Sequence, residues 1–491
     1  MTAYADRLEA LIAEAADRCT GCGKCFEACP TARESGLDMA AGVQRVGELV
    51  ALTRDGGSAA PVLQSWLNAC DGSARCSAAC PEDINVRQWV TIAKLKSLQA
   101  SRPATEGAAN AASRFRHMAQ AVRLLASMQL PTETLKRILV PAERRTADVL
   151  FYTGCNVLRT PHIVLNVMDI LDALDLDFDV VGGTAHCCGV YQFQEADLPT
   201  YERVGHRTFQ RFGQSGASKV LTWCPTCTKN FDELETDVEA PSFGLDHISE
   251  FLAANLDTLK ARFRAEQPRR RVVIHEHLGI GATVQSIRDL LRAVPNLELV
   301  ELPQDSGFSY ACGGQAAKFK EREQAIHRGL AMGAVEAGAD TIVTMYHSCH
   351  RALSGAEAIY PLRVVNFTDI LAEALGRGGH PDYYQLYKKG GAMDEAVEAA
   401  HDCKAAVPDF AAVRGVAKPV TSWPPRLRAA GQSLRWRHIA ARLAAYPGRP
   451  RAAPPPAARL PAGQHAVQLH QRVARAPLHA RRPDRAGRRA R

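Results

Sequence analysis

Fourteen of the fifteen cysteines fall into three spaced sets, and the middle set does most to limit what this chain can fold into. It runs Cys155, then Cys187-Cys188-Gly189, then Cys224-Pro225-Thr226-Cys227. Five thiols on that frame are too soft a donor array for calcium or magnesium; they ask for iron and sulfide. A first set (Cys19 to Cys80) precedes it, and a reduced third set, Cys312 and Cys349, follows. The chain therefore reads first as a carrier of several redox clusters.

The hydrophobic pattern supplies a frame for those cysteines. Residues 1–100 read as helical, with cysteine-rich loops at Cys19–Pro30 and Cys70–Pro81, and 101–146 as a helical linker. Val149-Leu-Phe-Tyr152 then reads as a buried strand ending at Cys155, followed by a helical pattern after Pro161. Further strands at Asp177–Val181 and Lys219–Trp223 lead into Cys187-Cys188 and Cys224, with a helix at Thr200–Phe212 between them. The pattern repeats with strands at Arg271–Ile274, Leu297–Leu302 and Thr341–Met345 and helices at Val284–Ala293 and Glu321–Ala337. Cys312 stands 124 residues after Cys188, and Cys349 stands 122 after Cys227, which points to an internal duplication. Alternating strands and helices predict parallel sheets, whose ligand crevices lie past the strand ends, where these cysteines fall. The expected units are 147–256 and 269–375, then a C-terminal helix in 376–410, where Cys403 is an ordinary helix residue.

The net charge of +8 misleads. Residues 411–491 carry 18 Lys or Arg against one acid, Asp484, a charge of +17; the other 410 residues hold 42 bases and 51 acids, a charge of −9. The body is acidic and gives no support to nucleic-acid binding. The tail lacks the apolar periodicity needed to fold and reads as a disordered basic extension, in keeping with out-of-frame translation of GC-rich DNA. No uninterrupted apolar run approaches the length of a membrane span. The N-terminal segment is an amphipathic helix without a signal-type apolar core. Clustered cysteines then point to a cytoplasmic metalloprotein, docked on the inner membrane only through a partner.

In the first set, Cys19-x2-Cys22-x2-Cys25-x3-Cys29-Pro30 is the bacterial ferredoxin run. Three thiolates at this spacing wrap one cubane and the fourth crosses to a second cluster. Gly21 and Gly23 let backbone N–H groups approach the sulfides. The second run, Cys70-x5-Cys76-x3-Cys80-Pro81, has Ser73 where another cysteine would sit. Crossing assigns Cys19, Cys22, Cys25 and Cys80 to a [4Fe-4S] cluster, leaving Cys29, Cys70 and Cys76 for the other. Three thiolates suit either a [3Fe-4S] cluster or a [4Fe-4S] cluster completed by Ser73 or water. This part resembles the C-terminal half of the iron–sulfur subunit of succinate dehydrogenase and fumarate reductase, and the resemblance implies [3Fe-4S]. A helix like Val86–Leu98 follows it there.

Across roughly residues 1–400 the chain resembles heterodisulfide reductase, its relatives in glycolate and lactate oxidation, and thiol:fumarate reductase. The resemblance implies an α+β multidomain fold: a helical ferredoxin-type two-cluster domain followed by two tandem α/β CCG domains. It also implies that Cys155, Cys187, Cys188, Cys224 and Cys227 hold a noncubane [4Fe-4S] centre that binds and cleaves a substrate disulfide. An ordinary [4Fe-4S] cluster with a spare thiol, or zinc, remains the alternative. The second repeat departs from this pattern. Its opening reads Ile274-His275-Glu276-His277, its cysteine pair has become Ala311-Cys312, and its close has become Tyr346-His347-Ser348-Cys349-His350. Two readings stay open there: a mixed site drawn from His275, His277, Cys312, His347, Cys349 and His350 for zinc or iron, or a repeat kept for its fold.

No Gly-rich nucleotide loop or flavin signature is visible, so electrons are expected from a flavoprotein dehydrogenase or a membrane cytochrome subunit. The expected function is an iron–sulfur oxidoreductase subunit of heterodisulfide-reductase type acting on a thiol or disulfide. A pure relay for a 2-hydroxy-acid dehydrogenase is the alternative, and a non-redox zinc-stabilised scaffold stands behind both.

Overall fold

In a computed structural model, the described residues are 3–70, 72–139, 147–235, 242–276, 281–302 and 320–388. His277, Cys312, Cys403 and the basic tail lie outside them. The described residues all belong to one compact unit, Met1–Ala417.

The N-terminal part is helical. Apolar Tyr4, Leu8, Ile12 and Ala16 recur on one face of helix Ala3–Arg18 and are buried against helices Gly42–Asp55 and Val86–Ser101. Phe26 meets Trp66 edge-on at 5.0 Å between centroids, and Trp89 Nε1 donates to Thr53 Oγ1 at 2.8 Å. These aromatics fix the frame on which the cysteine loops are hung. Pro30 opens the short helix Pro30–Glu34, and Cys29 before it is extended (φ −79°, ψ 109°). A residue before proline is driven from the helical region, so Cys29 cannot continue the turn Lys24–Glu27 that carries Cys25. Helices Ala104–Gln129 and Thr132–Leu139 lead on to the α/β part.

Among the described residues eight strands follow: β1 Val149–Gly154, β2 Phe178–Gly182, β3 Lys219–Thr222, β4 Gly244–His247, β5 Arg270–His275, β6 Leu297–Leu299, β7 Thr341–Thr344 and β8 Arg363–Asn366. They form two parallel four-stranded sheets of identical order, β2-β1-β3-β4 and β6-β5-β7-β8. Val149 pairs with both Phe178 and Lys219, and Val272 with both Leu299 and Thr341. The fold is therefore α+β, with a helical N-terminal domain followed by two α/β units of the same strand order. The edge strands β4 and β8 were not expected from sequence. Each is four residues long, with polar residues on it, and is recognisable only by its partner strand.

The two repeats share a core. Trp223 stacks on Phe367 at 5.7 Å with 6° between ring planes, and the helices His162–Ala173 and Phe367–Ala374 pack on each other. The other face of the first sheet belongs to the N-terminal domain, where Phe26 and Trp66 join Tyr152, Tyr201 and Phe231 in one apolar cluster.

Candidate metal centres

All five thiols of the middle set stand past the C-terminal ends of three adjacent strands. β1 runs out through Gly154 (φ +73°) into Cys155. Cys187 and Cys188 follow β2, and Gly189 (φ +84°) starts helix Val190–Gln194. Cys224 follows β3, and Cys227 lies in the first turn of helix Pro225–Glu235. A side chain on Gly189 would meet Tyr201, with its ring at 2.7 Å and its carbonyl at 2.9 Å. The glycine is required both by backbone sign and by close approach.

The thiols interact directly. Cys188 and Cys227 Sγ atoms are 3.4 Å apart, the Gly189 N–H points at Cys187 Sγ at 3.4 Å, and Asn230 Nδ2 donates to Cys188 Sγ at 3.6 Å. The Tyr152 hydroxyl lies 4.0 Å from Cys227 Sγ and donates to the His186 carbonyl at 2.7 Å. Cys155, Cys187, Cys188 and Cys227 are buried and Cys224 partly so; none forms a disulfide. Hydrogen bonding to Cys155 and burial push the Cys187 thiol far up, and the bond to Cys187 pushes Cys188 up to about 12. Cys227 is also raised, by bonds to Cys188 and Cys224, whereas the thiol of Cys227 lowers Cys224 by hydrogen-bonding to it. Bare protein of this shape disfavours the thiolate at Cys187, Cys188 and Cys227.

The N-terminal thiols form two neighbouring groups. Cys19, Cys22, Cys25 and Cys80 line one cavity with Pro81 and Trp89. Burial, then Cys19 and Cys80, raise the Cys25 thiol to about 12. Cys76 is raised by burial and by Cys70 and Cys29, so those three stand together, with Cys25 next to them. Ser73 is buried in the same loop. Gly23 (φ +79°) lets the first cysteine loop press onto the next helix: a Cβ there would lie 2.7 Å from the Val43 nitrogen.

A 4Fe-4S dicluster domain model matches residues 15–84, and a cysteine-rich domain model, CCG, matches residues 149–232 and again 277–354. The chain has the domain architecture of heterodisulfide-reductase-like proteins. No curated protein matches it. Iron–sulfur binding is thereby assigned to these domains, and the donor chemistry fits it. Several buried thiols with raised pKa become thiolates together only when a cationic centre takes up the charge.

The second repeat of this chain keeps the fold and has fewer thiols. In register, Thr344 stands where Thr222 does, so Tyr346 takes the place of Cys224 and Cys349 that of Cys227. The described histidines take separate partners. His347 Nδ1 accepts from Trp223 Nε1 at 3.2 Å and is held neutral by burial. His275 is buried with its ring 6.0 Å from His327. His350 Nε2 lies 2.6 Å from Asp382 Oδ2, and the ring of His162, from the first repeat, is 5.1 Å from that of His350. Sequence reading grouped His347 with His350 and missed His162 and Asp382. No spacing rule connects residues drawn from both repeats and the segment after them.

Among the described residues no helix is long and apolar enough to cross a membrane.

Proposed function

We propose that this chain is an electron-transfer subunit of heterodisulfide-reductase type, with a thiol- or disulfide-active centre held by Cys155, Cys187, Cys188, Cys224 and Cys227. In this reading Cys19, Cys22, Cys25 and Cys80 hold a [4Fe-4S] cluster, and Cys29, Cys70 and Cys76 hold a [3Fe-4S] cluster. Electrons enter singly from a partner flavoprotein or membrane cytochrome. Cleavage of a disulfide takes two electrons and two protons and releases two thiols, so the carriers must deliver twice per turnover. The bound iron–sulfur groups supply the one-electron chemistry. The protein's part is to bury the thiols, aim the Gly189 N–H and Asn230 at sulfur, and exclude water.

The observation that carries the reading is the shared apolar core. Cys25, Cys188 and Cys227 are buried in one cluster, with Cys19, Cys29, Cys70, Cys76, Cys80 and Cys224 packed against it. Tyr4 of the first helix meets Tyr201, the residue over Gly189, at 5.3 Å. Thiols from all three groups set in or against one apolar cluster are what stepwise electron transfer needs. A second reading, a pure relay for a 2-hydroxy-acid dehydrogenase, is favoured by the second repeat, where Tyr346 and not a thiol matches Cys224.

The test is EPR of anaerobically purified protein, as isolated, thiol-oxidised and dithionite-reduced, with iron and zinc quantified. A near-isotropic signal on oxidation supports the three-thiolate centre. A further slow-relaxing signal that needs both oxidant and thiol supports disulfide chemistry, as does reduction of a disulfide by the isolated subunit with an artificial donor. Reduced cubane signals alone leave the relay reading. A colourless zinc protein sinks both.

A further inference from the structure

His162, His350 and Asp382 come together from three parts of the chain. His162 is the first residue of helix His162–Ala173 in the first repeat, His350 lies in helix His347–Leu353 of the second, and Asp382 precedes helix Tyr383–Lys388. One ligand atom from each lies within 4.8 Å of the other two. His350 Nε2 is 2.6 Å from Asp382 Oδ2, and His162 Nδ1 is 3.6 Å from Asp382 Oδ1.

Both ring nitrogens of His162 are buried and make no hydrogen bond, on a residue only 2% exposed. An unmet buried polar group is costly, so two on one ring mark a missing partner. The neighbouring acids are engaged elsewhere. Asp369 accepts from Asn166 Nδ2 and the Asn366 N–H, and Asp169 from His380 Nε2 and the Gly378 N–H. Asp382 is thus the carboxylate that faces both rings.

We propose that His162, His350 and Asp382 form a binding site for one divalent zinc-class ion that pins the two repeats together. Two imidazoles and a carboxylate suit zinc, iron(II) or cobalt(II), whereas calcium and magnesium need more oxygen donors. Ligands about 2.0–2.2 Å from a tetrahedral ion stand roughly 3.3 Å apart, so His350 and Asp382 open slightly while His162 closes in. Three protein ligands leave the fourth position to water. The site uses no thiol as a ligand, although His350 follows Cys349 directly in helix His347–Leu353.

The experiment uses the full chain with its iron–sulfur groups intact, supplied with zinc and desalted, and reads zinc stoichiometry and zinc X-ray absorption. The expected result is one equivalent of zinc with only nitrogen and oxygen neighbours, lost in His162→Ala and in Asp382→Asn while iron content and EPR signals stay as in the parent. Sulfur neighbours near 2.3 Å would place the zinc in a cysteine site. That outcome overturns the proposal, as does absence of bound zinc or its retention in both variants. Should either variant fail to fold, the wild-type absorption spectrum alone decides between the two donor sets. Unchanged iron signals separate failure here from failure of the electron-transfer reading.

Discussion

His247→Asn should remove part of the acid sensitivity of the first CCG unit while leaving its neutral-pH stability nearly unchanged. His247 closes β4 and caps helix Ile248–Ala254: Nδ1 accepts from the Ser249 N–H at 3.3 Å, and Nε2 faces the Trp223 carbonyl at 2.9 Å. The second repeat makes the same cap at the end of β8 with asparagine. Asn366 Oδ1 accepts from the Thr368 N–H at 3.2 Å, and Nδ2 donates to the Thr344 carbonyl at 3.0 Å. Asparagine therefore has the reach for both bonds. Burial depresses His247 to about 4 from an ordinary 6.5. Between those values the unfolded chain binds a proton that the folded chain refuses, so stability from this residue is complete above pH 6.5 and falls as pH drops toward 4. At about 1.4 kcal/mol per pH unit the loss is about 2 kcal/mol at pH 5 and about 3 kcal/mol below pH 4. Anaerobic urea unfolding followed by far-UV circular dichroism at pH 7.5 and pH 5, for both proteins, gives the double difference. His327, depressed to about 3, is present in both and cancels. A double difference below about 0.5 kcal/mol would refute the reasoning, since that is the scatter of substitutions without a mechanism.

Gly189→Ala should cost about 2–5 kcal/mol, from a left-handed backbone plus overpacking on Tyr201, and Gly154→Ala only about 1–2 kcal/mol. Its Cβ meets nothing nearer than Cys227 Sγ at 3.6 Å; equal unfolding of the two variants would show that the Tyr201 approach is unimportant. Cys187→Ser or Cys224→Ser should remove the iron of the CCG centre while the N-terminal EPR signals persist, and loss of every signal together would point to misfolding instead. Glu195→Gln should weaken docking of the linker helix by about 1–3 kcal/mol, because Glu195 receives Arg102 at 2.9 Å and Arg114 at 2.5 Å. Faster limited proteolysis within residues 101–146 is the readout, and an unchanged rate counts against it.

Local signals and long-range ones separate cleanly in this chain. Strands β1, β2, β3, β5 and β7 are apolar runs and can be read directly, since a parallel strand covered on both faces carries little else. β4, Gly-Leu-Asp-His, and β8, Arg-Val-Val-Asn, cannot: four residues with polar ends acquire meaning only beside β3 and β7. The cysteine sets are legible because short spacings fix which thiols share a loop, and Pro30 sets Cys29 apart from Cys25 by a local backbone rule. The contacts of the second repeat's histidines are not legible. His347 turns to Trp223 of the other repeat and His350 to Asp382, and neither contact leaves a spacing in the sequence.

Those same contacts explain why a repeat shorn of its thiols is retained. Trp223 is the residue immediately before Cys224, and three things hold its ring. Phe367 stacks on its face, His347 accepts from its Nε1, and the core shared by the two repeats surrounds it. Of these, Phe367 and His347 come from the second repeat. The loop that presents Cys224 and Cys227 is thus set from behind by the second sheet, and the thiol pocket is closed in front by Tyr4, Phe26 and Trp66 of the N-terminal domain. A cysteine lost from the second repeat removes a donor there without loosening Trp223, whereas losing the repeat itself would expose a tryptophan next to the thiols. Burial at the first site is therefore a property of the whole described unit.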